Sequence, residues 1–110
     1  VKLKVNFYKM VIYEEGGHFE KHKDTVHHQN HIATLLIGLP VDYQGGDLSV
    51  SLDQNSEKLF HLYDNLVAFY TDCDHYITEV KKGIRIVLQF DLYIDNKTND
   101  YLNFKKVPDY

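Results

Sequence analysis

The chain predicts an all-β domain of the jelly-roll, double-stranded β-helix class. Three observations predict it: β-branched and aromatic runs recur at short spacing, clusters of Gly, Asp and Asn separate them, and no segment carries a convincing helical period. Eight short strands suit that architecture, in which two sheets face one another across a core. With 110 residues and an apolar content of 44%, the chain is long enough for one such core and too short for two.

In order, strands are expected at roughly 4–13, 18–23, 31–39, 46–52, 58–63, 66–71, 75–80 and 84–94. Gly16-Gly17 and Gly45-Gly46 fall between strands, where turns and bulges commonly need positive φ. Pro40 follows the third strand and stops it. After Asp95 the composition becomes polar and aperiodic. Residues 1–95 are therefore expected to form the domain and 96–110 a C-terminal extension of unknown role.

A net charge of −4 provides no basic stripe to hold a phosphate backbone, so nucleic acid is a disfavoured partner. No apolar run approaches the roughly 20 residues of a membrane span. A single cysteine, Cys73, cannot form an internal disulfide, which favours a reducing compartment, cytoplasmic or nuclear. The sequence opens at Val-Lys-Leu-Lys without an initiator Met or a signal-peptide pattern, as an excised or processed piece would.

The chemistry concentrates in few places. His22-Lys23-Asp24 is a weak signal alone, a common coincidence in a chain with 7 histidines. Its spacing is nevertheless sensible, because the period of 2 in an extended segment points both side chains to one face, where they can share an ion. His75 follows the acidic turn Thr71-Asp72-Cys73-Asp74 and begins a strand. Two imidazoles and one carboxylate fill three positions of an octahedral ion and leave three open, which suits Fe(II) better than a closed structural zinc site. Arg85 lies ten positions after His75 between Ile84 and Ile86. If it faces inward it needs an anionic partner, and its planar fork can take a carboxylate bidentately.

His27, His28 and His31 cluster after the H-x-D and are expected to sit in a solvated loop, adventitious metal binding or a place at the substrate entrance being the alternatives. Cys73 is assigned no role, since nothing near it in sequence would lower its pKa. Asn96-Lys97-Thr98 matches a glycosylation sequon and is expected to be unmodified.

The ordered segments Y-E-E-G-G-H-F-E-K-H-K-D-T, A-T-L-L-I-G-L-P, Q-G-G-D-L, A-F-Y-T-D-C-D-H and G-I-R-I-V-L resemble the prolyl 4-hydroxylase-type branch of the Fe(II)/2-oxoglutarate dioxygenases, over roughly residues 5–94. The combination of H-x-D, a distant His and a basic residue ten positions later is more specific than any of its parts. The resemblance implies that His22, Asp24 and His75 ligate Fe(II) and that Arg85 pairs with the distal carboxylate of 2-oxoglutarate. It further implies that Tyr13 faces the cosubstrate pocket, a core tyrosine being the alternative. The implied reaction hydroxylates a substrate with O2 and releases succinate and CO2, with ascorbate an optional accessory. The implied partner is a peptide or protein side chain such as proline. A small-molecule hydroxylase and a scaffold domain that has lost turnover remain open.

Two departures from the family pattern stand out. Gly38 occupies the place of a Tyr whose hydroxyl supports the cosubstrate carboxylate, and Val87 the place of a Ser or Thr, so Arg85 is expected to hold that carboxylate with less help. Relatives also carry helices before the first strand that buttress the major sheet, and this sequence starts almost at the strand.

Overall fold

A computed structural model describes residues 2–95. The expected extension at 96–110 and the sequon at Asn96 lie outside the described residues. Ten strands and no helix occur among them: β1 (Lys2–Tyr13), β2 (Phe19–His22), β3 (His31–Gly38), β4 (Tyr43–Gly45), β5 (Leu48–Asp53), β6 (Ser56–Phe60), β7 (Asn65–Tyr70), β8 (His75–Ile77), β9 (Val80–Gly83) and β10 (Arg85–Asp95). The major sheet has the order β1-β10-β3-β7, the minor sheet β2-β8-β5-β6, and β4 pairs with β9 at one end. All pairings are antiparallel. This is the expected all-β jelly-roll class.

The eight expected strands become ten by two changes. The strand expected over 75–80 divides into β8 and β9, because Thr78 leaves the ladder: its N–H bonds Asp47 O at 2.9 Å and its hydroxyl accepts from Asp47 N–H at 2.8 Å. The short β4 has too few residues and too much glycine to show a period in sequence. Its partner β9 ends at Gly83, whose φ of +80° and close approach to Asp42 O leave no room for a side chain.

Alternation decides which side chains face the core. On β10, Arg85, Val87 and Asp91 are buried, while Ile86, Leu88, Phe90 and Leu92 take the opposite face. On β1 the apolar alternation runs Val5, Phe7 and then slips to Met10, Ile12. A β-bulge between Phe7 and Lys9 absorbs the extra residue. The bulge keeps Val5, Phe7, Met10 and Ile12 on one face, opposite Leu92, Phe90, Leu88 and Ile86, and turns Val11 and Tyr13 inward. Those four β1 side chains stay more than half exposed, and nothing among the described residues covers that outer face.

Between the two sheets Leu36, Leu48, Val50, Leu62, Val67, Phe69 and Val87 form the core, with Phe60, Cys73 and Ile77 packed against it. At roughly 1.5–3 kcal/mol for each fully buried aliphatic or Phe side chain, this cluster holds the sheets together and fixes the cavity wall beside it. Among the described residues, no helix is long and apolar enough to cross a membrane.

Candidate active site

A cavity of ≈ 180 Å³ lies between the sheets, and His22, Asp24, His75, Arg85 and Tyr13 all line it. The residues singled out in sequence from four separate segments thus meet in one place.

His22 closes β2, His75 opens β8, and the two are direct register partners with ring centroids 4.2 Å apart. Asp24 lies just past the end of β2, outside the regular strand, with its N–H bonded to Thr71 O at 3.2 Å. The shared side of His22 and Asp24 therefore comes from this anchored turn and not from an uninterrupted strand. His75 Nε2 stands 3.1 Å and His22 Nε2 3.8 Å from Asp24 Oδ1. One donor atom from each of the three lies within 4.8 Å of the others, close enough to converge on a single ion.

Each imidazole is oriented by backbone. His22 Nδ1 is 2.7 Å from Glu20 O and His75 Nδ1 is 3.0 Å from Cys73 O. A carbonyl only accepts, so both Nδ1 atoms carry a proton and both Nε2 atoms turn toward Asp24, His75 Nε2 donating to Oδ1 when the ring is protonated and offering its lone pair to an ion when it is not. Thr34 of β3 donates its hydroxyl proton to Asp24 Oδ2, which leaves Oδ1 to face the histidines. Cys73 thus contributes through its carbonyl and its packing, not its thiol.

The electrostatics agree with this arrangement. Burial alone would raise the Asp24 pKa, but hydrogen bonds from His75 and Thr34 and the nearby imidazoles outweigh it and hold the carboxyl below its ordinary value. Burial alone would lower His75, but Asp24 and the Cys73 carbonyl hold it above its ordinary value. The donor set fits a divalent ion that takes mixed N/O ligands and keeps open positions.

Arg85 opens β10, opposite Tyr13 in the ladder, and is only 1% exposed. Its Nε donates to Gly46 O at 3.0 Å, its Cζ lies 5.5 Å from the Tyr13 ring centroid, and Tyr43 is close enough to act on its charge. One terminal nitrogen, Nη2, has no hydrogen-bond partner among the described residues. Burial pulls its pKa down, opposed by Tyr43, Tyr13 and Asp47, yet a guanidinium stays protonated in proteins. A buried cation with an unfilled donor is the arrangement expected where an anionic group binds.

Gly38 has no space for a larger residue: a Cβ there would lie 2.0 Å from Leu62 O. Tyr43, on the neighbouring β4, reaches Arg85 instead, while its hydroxyl accepts the Leu62 N–H at 2.8 Å. Sequence reasoning passed over Tyr43, and no spacing or pattern around it would have pointed to Arg85. Thr34 was missed for the same reason.

Of the loop histidines, His27 remains exposed as expected and His28 is half-buried, but His31 departs from expectation. His31 is 5% exposed, not solvated, because it and His27 turn inward onto the buried carboxylate of Asp91; His28 Nε2 also approaches it, at 3.9 Å.

Residues 7–92 match the family model of the 2OG-Fe(II) oxygenase superfamily. Over 104 residues the sequence is 29% identical to the fowlpox virus (strain NVSL) protein FPV006/FPV255, covering 89% of this chain and 23% of that protein. Among solved structures it is similar to a 2OG-Fe(II) oxygenase family oxidoreductase from Burkholderia pseudomallei, with TM-score 0.69, 15% identity, and coverage of 82% of this chain and 44% of that one. It is also similar to a Pseudomonas putida prolyl-4-hydroxylase, with TM-score 0.69, 17% identity, and coverage of 86% and 54%. The chain spans about a quarter of the length of the viral relative and about half that of the two solved structures.

Proposed function

This chain belongs to the 2OG-Fe(II) oxygenase superfamily, and from that premise we propose that it is a dioxygenase of the prolyl 4-hydroxylase type acting on a peptidyl side chain. The observation that carries the reading is the single cavity lined by His22, Asp24 and His75 together with a buried Arg85 whose Nη2 is unfilled. Fe(II) and 2-oxoglutarate, when bound, supply the O2 activation, one oxygen atom entering the substrate and the other the succinate that leaves with CO2.

The protein's own part is to hold and orient. His22 Nε2, Asp24 Oδ1 and His75 Nε2 would hold the metal, kept in position by Glu20 O, Thr34 and Cys73 O. Arg85 would hold the distal carboxylate of the cosubstrate, with Gly46 O fixing the guanidinium, Tyr43 near it and the Tyr13 ring covering one side. Leu36, Leu48 and Phe69 give the same cavity an apolar wall.

The cavity size supports a peptidyl substrate. At ≈ 180 Å³ it is smaller than the roughly 300–1,000 Å³ that typically enclose a whole small ligand. It suits the cosubstrate and one inserted side chain, with the rest of the substrate lying outside near Tyr8, Lys9 and Lys23. The solved prolyl-4-hydroxylase from Pseudomonas putida is a structural neighbour with the same fold, which favours proline as the first residue to try.

The test is succinate release with Fe(II), 2-oxoglutarate and a library of Pro- and Lys-containing peptides, read alongside addition of one oxygen by mass spectrometry. Substrate-stimulated succinate that disappears in Asp24→Ala supports the reading. Oxidation of a free metabolite but of no peptide would make the chain a small-molecule hydroxylase. Equal succinate from wild type and Asp24→Ala would overturn the enzymatic reading.

A further inference from the structure

We propose that His27, His28 and Asp91 form a second transition-metal site of the Zn2+ class, separate from the cavity triad, with His31 as its orienting residue. Asp91 projects inward from β10 with its side chain only 7% exposed. Three imidazoles surround it: His27 Nδ1 at 2.7 Å from Oδ2, His28 Nε2 at 3.9 Å from Oδ2, and His31 Nε2 at 3.5 Å from Oδ1.

Hydrogen bonding assigns the roles. His31 Nδ1 accepts the His27 backbone N–H at 3.0 Å, so its proton is on Nε2, which donates to Ala33 O at 2.9 Å. A protonated Nε2 cannot ligate. His31 instead holds the His27 backbone N–H, and with it the ring that meets Asp91, the orienting part that a hydrogen-bonding partner behind a metal ligand commonly plays. His27 Nδ1 gives its proton only to Asp91 Oδ2, a hydrogen bond that an ion entering between the two would replace, and His28 Nε2 has no hydrogen-bond partner among the described residues.

A purely hydrogen-bonded network leaves two atoms stranded. Asp91 Oδ1 and His28 Nε2 are both buried and, among the described residues, have no hydrogen-bond partner. Each is a lone-pair donor that water cannot reach and that another hydrogen-bond donor would normally satisfy. The donor atoms of His27, His31 and Asp91 lie within 4.8 Å of one another. Because both ring nitrogens of His31 are held by the backbone, a divalent ion at the Asp91 carboxylate would draw in His28 Nε2, now 3.9 Å away, with His27 Nδ1 as third ligand. Two imidazoles and a carboxylate suit Zn2+ or a neighbouring divalent ion. The rings of His27 and His28 are partly exposed, which gives the ion a route in from solvent. Once bound, it would clasp the 24–31 segment, which carries Asp24 and borders the cavity, to β10.

The experiment counts Zn2+ bound per chain by calorimetry and by equilibrium dialysis with elemental analysis. It uses the full chain and Zn2+ alone, with circular dichroism confirming the fold of each variant. His22→Ala/His75→Ala, which removes the first site, should still bind one equivalent. Adding His27→Ala and His28→Ala to that variant should abolish it, and these two partly exposed rings can be removed without opening the core. Adding His31→Gln instead should weaken the equivalent by about 10–100-fold. The proposal is overturned if the His22→Ala/His75→Ala protein binds no Zn2+, or binds it equally well after loss of His27 and His28. Failure of the cavity triad to bind metal would appear separately, as no difference in stoichiometry between wild type and His22→Ala/His75→Ala.

Discussion

His22 and His75 are direct register partners across β2 and β8, with both Nδ1 atoms bound to backbone carbonyls two residues earlier, at Glu20 and Cys73. The same local device therefore turns both Nε2 atoms toward Asp24. Because Glu20 lies in β2 and Cys73 in the bend that leads into β8, local backbone orients the imidazoles before any metal arrives. Pre-orientation of this kind lowers the ordering cost of binding.

Thr34→Val removes the hydroxyl that engages Asp24 Oδ2 while nearly preserving side-chain volume. Mn(II) affinity, measured by electron paramagnetic resonance titration, should fall by about 10–100-fold, the usual cost of losing a partner behind a metal ligand. Unchanged affinity would show that Asp24 is positioned by the backbone alone.

Arg85→Ala should weaken 2-oxoglutarate by about 2–5 kcal/mol, because truncation leaves the distal carboxylate in a buried position without its cation. Calorimetry on Mn(II)-loaded protein measures this directly, and Mn(II) affinity itself should barely move. A cosubstrate affinity equal to wild type would remove Arg85 from the site.

Glycine substitutions separate conformation from space. At Gly16, φ is +91° but no atom lies within 4 Å of an added Cβ, so Gly16→Ala should cost on the order of 1 kcal/mol. Gly38→Ala drives its Cβ into the Leu62 backbone and should cost about 3 kcal/mol or more. Urea denaturation of the two variants should rank them in that order, and the reverse ranking would contradict the packing around β3.

Metal should also act on stability. An ion that binds only the folded chain stabilises it by about 2.7 kcal/mol when present at 100 times its Kd. Mn(II) should therefore raise the melting temperature of wild type, a chelator should reverse the rise, and His75→Ala should lose most of it. An equal rise in His75→Ala would assign the stabilising ion to another site.

Much of this site could be read from sequence because its signals are local or regularly spaced. The H-x-D spacing, the trailing His75 and the tenth-residue Arg85 are positions along a chain, and alternation along β10 gives Arg85 its direction, although Asp24 takes its own from the segment past β2. The bulge in β1, where the apolar alternation slips between Phe7 and Met10, went unread, and Tyr13 was directed to the pocket by resemblance alone. The all-β class followed from the same periods.

What the sequence could not supply depends on contacts between residues far apart in the chain. Thr34 reaches Asp24 only because β3 lies in the facing sheet, and Tyr43 reaches Arg85 only because β4 closes against β9. The loop histidines looked solvated because nothing local would bury them, yet Asp91, 60 or more residues away, draws them inward. The sequence by itself determined the strands, the class of fold and the candidate donors, since backbone geometry and side-chain chemistry act over a few residues. Only the tertiary structure decided which carboxylate each imidazole meets, because burial and hydrogen-bond satisfaction are settled by packing between sheets and leave no period in the chain.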